Sequence, residues 1–124
     1  KKILQKKRSI HNFYSKKIDR MKGVKILKER KYCKSNYWLN VIEINKNYFK
    51  INKDNLIKKF LQNKIEARSL WYPNHLQKHL KKFQKYKINN AETMFKSCIC
   101  IPSSFSLTEN QQSKILQILQ KYSN

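Results

Sequence analysis

Apolar residues recur along this chain at two spacings, and each change of spacing marks a new element. In residues 3 to 20, Ile3, Ile10, Phe13, Tyr14 and Ile18 fall near one face of a 3.6-residue period. This predicts an amphipathic helix ending near Gly23, a candidate C′ residue. "VKIL" predicts a short strand and "RKYCKSN" a polar connection. In "NYWLNVIEI", residues 36 to 44, Trp38, Asn40, Ile42 and Ile44 alternate with Tyr37, Leu39, Val41 and Glu43. The pattern predicts a strand buried largely on both faces. Helical spacing returns in "NKDNLIKKFLQNK", where Leu56, Ile57, Phe60 and Leu61 share a stripe and Asn52 is a candidate N-cap.

"IEARSLW" predicts a strand that Pro73 ends. "HLQKHLKKFQKY" predicts a short helix carrying Leu76, Leu80 and Phe83, and "NAETMFKSC" a second one capped by Asn90. "CICIPS" predicts a strand stopped at Pro102. A final helix follows Thr108, a candidate N-cap, with Ile115, Ile118, Leu119 and Tyr122 as its stripe. The order α, β, α, β, α, α, β, α describes an α+β domain with helices on one face of a small sheet.

Composition fits that picture. A length of 124 residues suits one domain, and 40% hydrophobic content spread along the chain makes a single core feasible. No apolar run approaches the roughly 18 residues of a membrane span, so no membrane partner is expected. No apolar segment follows the basic start, so no signal peptide is expected either. The opening "KKILQKKR" lacks an initiator Met, as in a fragment, a processed chain or a trimmed one.

Charge adds a question. The formal net charge is +22, which suits a nucleic-acid binder if the cations are clustered. Yet Lys, Asn and Ile dominate the composition and share A/T-rich codons, which points to compositional drift. Arg, the better reader of phosphates and bases through its planar fork, is scarce beside Lys. On either reading, weak and salt-sensitive binding to polyanions is expected. Tyr32, Tyr37, Trp38, Tyr48 and Phe49 can be cast as a stacking platform for single strands or as strand core, and the spacing in "NYWLNVIEI" favours core. The three Cys, at 33, 98 and 100, are odd in number, which suits reduced thiols in a cytoplasmic setting.

Residues 66 to 80, "EARSLWYPNHLQKHL", concentrate the varied chemistry. His75 and His79, four apart, could join Cys98 and Cys100 in a zinc site. However, two Cys flanking one strand residue are held at a fixed, extended spacing that suits a tetrahedral site poorly. Cys–His nucleophilic catalysis lacks a local oxyanion hole. Acid–base carboxylates are scarce, with only Glu66 beside the cluster, and the single Gly excludes a phosphate-cradling glycine loop.

Three stretches, in order and in register, resemble one family. "IEARSLWYPNHLQ", residues 65 to 77, is similar to the I-x-x-R-P-L-W-K-P-M-H-L-Q segment of DegT/DnrJ-type sugar-nucleotide aminotransferases, in the perosamine-synthase-like branch. Arg68, Leu70, Trp71, Pro73, His75, Leu76 and Gln77 match, whereas Ser69, Tyr72 and Asn74 depart from it. "SNYWLNVIEI" at 35 to 44 resembles that family's S-N-Y-W-L-x-V strand. "SCICIPSSFSLTENQQSKIL" at 97 to 116 resembles its G-L-C-L-P-S strand and final helix, and "KKRSIHNFYSKKI" its K-R-x-x-x-x-x-Y segment.

The resemblance implies the small C-terminal α+β domain of a fold-type I, pyridoxal-phosphate-dependent transferase. Residues 1–22 would be a connecting helix and 23–124 the small domain, with the large cofactor domain absent from this chain. Family members move an amino group, usually from glutamate, onto a keto sugar carried by a nucleoside diphosphate, and work as homodimers. They would serve surface-polysaccharide or glycan synthesis. The Schiff-base Lys, the acid at the pyridine nitrogen and the phosphate cup lie upstream of this segment in the family. No catalytic residue is therefore expected here, and no cofactor binding by this chain alone.

Within that resemblance Arg68, Trp71 and His75 are candidates to contact a nucleotide-sugar substrate. Arg would grip the diphosphate, Trp would stack on a sugar or base, and His would donate to a hydroxyl or phosphate. The alternative is that Trp71 and His75 pack and cap a strand–helix corner. Two other functions stand beside the enzyme: a stand-alone basic RNA- or DNA-binding module, and an inactive remnant.

Overall fold

The computed structural model describes residues 1–123. Its elements are α1 (Lys2–Ile18), β1 (Val24–Ile26), β2 (Asn40–Ile44), α2 (Lys53–Gln62), β3 (Arg68–Ser69), α3 (Asn89–Ser97), β4 (Cys98–Ile101) and α4 (Glu109–Tyr122). Single 3₁₀ turns occupy Asn74–Leu76 and Lys78–Leu80. The strands form one antiparallel sheet in the order β1-β2-β4-β3. This is the expected α+β arrangement.

Register explains the core. Ile26 lies opposite Ile42, and Ile42 opposite Ile99, so branched side chains line up across three strands on one face. Val24, Ile44 and Ile101 extend the row, and all six are buried. Onto it α1 brings Ile10, Tyr14 and Ile18, α2 brings Leu56 and Phe60, and α4 brings Ile115, Leu116 and Leu119. The segment expected to be a connecting helix is thus part of the same core. The other face carries Lys25, Val41, Glu43, Cys98, Cys100 and Arg68, by alternation and register.

Two helix starts are fixed as the sequence predicts. The Asn52 Oδ1 accepts from the Asn55 backbone N–H at 2.9 Å. Thr108 and Gln111 form a reciprocal capping box on α4.

Four local expectations need correction. The strand begins at Asn40 rather than residue 36, and it is buried on one face and half-buried on the other. Upstream, the Ser35 hydroxyl accepts from the Tyr37 N–H and the Asn36 side-chain Oδ1 from the Trp38 N–H. These side-chain turns put Tyr37 at φ 46° and break the extension. Gly23 is not the C′ residue of α1, whose C-cap is Asp19. It holds φ 76° in the turn into β1, where an added Cβ would overlap the Tyr48 carbonyl and come within 2.7 Å of the Phe49 nitrogen. The helix expected over "HLQKHLKKFQKY" reduces to the two 3₁₀ turns. Lys78 and Lys82, then Lys81 and Lys85, would repel at helical i,i+4 spacing, and none of Leu76, Leu80 and Phe83 is buried to compensate. Finally, α3 starts at Asn89 with Ile88 at the cap position, so Asn90 is not its cap.

Candidate functional site

The varied stretch starts on the sheet edge. β3 pairs on one side only, with Arg68 opposite Cys100 and Ser69 opposite Ile99. Arg68 therefore points away from the core. Its Nε and Nη2 donate to the Glu66 Oε1 at 2.9 and 2.5 Å, with both side chains more than two-thirds exposed. An exposed ion pair of this kind contributes about 0–1 kcal/mol, so Arg68 can exchange Glu66 for another anion at little cost.

Past β3 the chain runs out over the surface. Trp71 is 68% exposed, and its ring centroid lies 6.3 Å from that of Trp38, itself 65% exposed. Trp38 precedes β2, and β2 and β3 both flank β4, so the sheet brings the two indoles together from distant segments. The Ser103 hydroxyl, just after β4, donates to the Trp38 carbonyl at 2.6 Å and holds that corner. Tyr72 meets Phe95 of α3 edge-on at 5.3 Å. On the same ring, Lys53 Nζ stands 4.5 Å from the centroid while donating to the Ser69 hydroxyl at 2.6 Å.

His75 faces elsewhere. Its side chain is 8% exposed, and its Nε2 donates to the Glu92 Oε1 of α3 at 2.8 Å. That hydrogen bond, against an opposing effect of burial, holds the Glu92 carboxyl below its ordinary range. A groove of about 340 Å³, lined in part by Pro73, His75, Phe83 and Ala91, includes neither Arg68 nor Trp71. Arg68 and Trp71 thus share an exposed edge, and His75 fastens the following segment to α3.

Of the aromatics weighed as a stacking platform, Tyr37 and Phe49 are buried, while Tyr32, Trp38 and Tyr48 are exposed. The expectation that Trp38 belongs to strand core is corrected by the Ser35–Asn36 turn, which was also the sequence signal available for it. The zinc candidates do not converge: among the described residues no group of three or more His, Cys, Asp or Glu side chains is placed to hold a metal. Burial raises the Cys98 and Cys100 thiols above their ordinary value, which keeps them protonated and weak as nucleophiles.

A second polar cluster was not foreseen from sequence. His11, on the buried face of α1, makes a 2.9 Å hydrogen bond through Nδ1 to the Asn40 Oδ1. Its ring lies 3.6 Å from the Tyr37 ring, nearly parallel to it. Arg8 stands over the same tyrosine, donates to both oxygens of Glu29 and to the Ser35 carbonyl, and Glu29 accepts the Ser35 N–H. These contacts pin the connection between β1 and β2 against α1. Desolvation pushes the His11 pKa below its usual value, so the ring is neutral at pH 7.

The described residues do not suit pyridoxal phosphate. It needs an amine for a Schiff base, an acid against the ring nitrogen and an anion cup. Lys53, whose side chain is 10% exposed, is engaged by Ser69 and the Phe95 ring, and the carboxylate beside it, Asp54, is 72% exposed at 3.7 Å.

Fold and sheet edge define a small α+β domain with an exposed Arg–Trp edge. The profile of the DegT/DnrJ/EryC1/StrS aminotransferase family matches residues 1–120, and the chain belongs to that family. Among its relatives is EpsN of Bacillus subtilis (strain 168), assigned by name as a pyridoxal phosphate-dependent aminotransferase. It is 27% identical over 120 residues, covering 94% of this chain and 30% of EpsN. Among solved structures, DesI in the presence of its TDP-sugar product superposes with a TM-score of 0.85 at 13% identity, over 95% of this chain and 30% of DesI. PseC of Helicobacter pylori, an aminotransferase involved in the biosynthesis of pseudoaminic acid, gives a TM-score of 0.81 at 18% identity, over 95% and 32%. The chain thus spans about three-tenths of the length of these relatives. No helix among the described residues is long and apolar enough to cross a membrane.

Proposed function

We propose that this chain is the small domain of a pyridoxal-phosphate-dependent aminotransferase acting on nucleotide-linked keto sugars in surface-polysaccharide or glycan synthesis. The observation that carries this is the family match over residues 1–120 combined with coverage of only about 30% of each relative. Residues 1–22 form a connecting helix that also packs into the core of the small domain, residues 23–124. The cofactor, its Schiff-base lysine and its acid partner belong to a large domain outside this chain, and the working unit is a cytoplasmic homodimer. The isolated chain is inactive and takes up no cofactor.

At the sheet edge Arg68 offers forked donors to the substrate diphosphate, and Trp71, beside Trp38, offers a flat face to sugar or base. His75 contributes by fixing the segment after Pro73 through Glu92, and reaches substrate only if that bond opens. The test is Arg68→Ala in the intact, cofactor-loaded enzyme. Losing one charged hydrogen-bond donor to the diphosphate should raise KM for the nucleotide sugar about 10- to 100-fold with kcat held. An unchanged KM removes Arg68 from the site.

A further inference from the structure

The segment from Gln77 to Ile88 has no part in that proposal, and its chemistry is distinctive. Lys78, Lys81, Lys82, Lys85 and Lys87 crowd into it with no acidic residue among them. Phe83 and Tyr86, interleaved with these lysines, are 58% and 77% exposed. Lys82 Nζ stands 5.6 Å from the Phe83 centroid and Lys87 Nζ 5.0 Å from that of Tyr86, so each ring carries its own ammonium group. The segment is nevertheless held in place. His75 binds Glu92 at its base, Tyr72 packs on Phe95, and helix α3 takes over at Asn89.

We infer that this segment is a docking arm for single-stranded nucleic acid, with Phe83 and Tyr86 as stacking faces and the flanking lysines as phosphate contacts. Three features select this partner. A row of cations without acids complements a polyanion and no neutral surface. Two exposed rings interleaved with the charges match alternating bases and phosphates, and stacking tolerates any base. The cations are lysines, which contact phosphate as point charges and do not read base edges through a planar fork, so binding is sequence-tolerant. A duplex is disfavoured because the segment offers no helix or ribbon to enter a groove. An anionic membrane is disfavoured because the segment holds a single 3₁₀ turn, Lys78–Leu80, where peripheral binders use an amphipathic helix.

The test uses the intact protein and a fluorescently labelled oligo-dT of about 20 nucleotides, read by anisotropy across a salt series. Replacing Lys81, Lys82, Lys85 and Lys87 by Gln should flatten the log K against log salt slope by about 3, at roughly 0.7 per lost contact. Replacing Phe83 and Tyr86 by Leu should weaken binding about 30-fold or more at one salt concentration and leave the slope alone. A control set of exposed lysines elsewhere, Lys16, Lys17, Lys31 and Lys34 to Gln, should change both far less. Control losses equal to those of the arm variant overturn the assignment, because binding then belongs to the whole basic surface. Wild-type affinity in the Leu variant also overturns it. So does capture by phosphatidylserine vesicles that depends on Phe83 and Tyr86 when oligo-dT binding does not.

Discussion

Gly23→Ala should destabilise the domain by about 3–4 kcal/mol, far beyond an average surface change. Three effects combine. Holding a residue with a Cβ at φ 76° costs about 1–2 kcal/mol, partly offset by about 0.4–1 kcal/mol from a stiffer unfolded chain. The new Cβ would overlap the Tyr48 carbonyl, which is backbone and cannot rotate away, and lie 2.7 Å from the Phe49 nitrogen. Ordinary carbon contacts lie near 3.5 Å, so the turn must retreat by roughly 1 Å. That turn is tied by Asn45 N–H to the Gly23 carbonyl at 2.8 Å and by Phe49 N–H to the Asn45 carbonyl at 3.0 Å. Losing one bond costs about 1 kcal/mol. Phe49 is buried, and dislodging it costs about 1–3 kcal/mol more.

Urea unfolding of the 124-residue chain, followed by far-UV circular dichroism, should show a midpoint lower by about 1.5–2 M at unchanged slope. Gly23→Asn separates the causes, because Asn tolerates positive φ but brings the same Cβ. It should be nearly as damaging as Ala. A Gly23→Ala midpoint equal to wild type, or an Asn variant that recovers most of the stability, would refute the close-approach argument.

Other predictions concern the polar cluster, a helix cap and the cofactor. His11 has a folded pKa below its free value of 6.5 because burial disfavours the imidazolium. Below that pH the unfolded chain takes up a proton that the folded chain refuses. Stability is therefore full above about pH 6.5 and falls as pH drops through it toward the lower folded value. Asp19, Glu29 and Glu92, held low by their partners, lose their contributions as pH falls from their ordinary values toward the lower folded ones, in a separate and more acidic window. Urea midpoints between pH 7 and 5 should fall in wild type and stay flat in His11→Phe; equal slopes in the two would remove His11 as the cause. Thr108→Ala, which deletes the capping box of α4, should cost about 1 kcal/mol by the same assay. The isolated chain mixed with pyridoxal phosphate should show no Schiff-base absorbance after dialysis, and a retained band would contradict the lack of fit around Lys53.

Much of the fold was legible because periodicity follows burial. Ile10, Tyr14 and Ile18, Leu56 and Phe60, and Ile115 and Leu119 all face the core as their spacing requires. Asn52 and Thr108 cap as their chemistry predicts. The misses have physical causes. Alternation through residues 36 to 44 implied one long strand, but Ser35 and Asn36 capture the next amides and turn Trp38 outward. Leu76, Leu80 and Phe83 fit a helical stripe on paper, but none of the three is buried.

The position of Gly23 after the first apolar stripe suggests a helix terminator, although its real constraint, the approach of the residue 45–49 turn, is nonlocal and invisible in sequence. At the site, Arg68 and Trp71 emerged as exposed edge residues. His75 lies turned onto Glu92, a pairing across sixteen intervening residues that no local pattern announces. The His11–Asn40–Tyr37 cluster was hidden for the same reason.

The most direct test of the central claim is amino transfer by the intact, cofactor-loaded protein, with glutamate as donor and a panel of keto sugars offered with and without their nucleoside diphosphate. The account predicts turnover on at least one nucleotide-linked keto sugar and a collapse of kcat/KM when the nucleotide is removed. Turnover that ignores the nucleotide, or exchange confined to amino and keto acids, would contradict it.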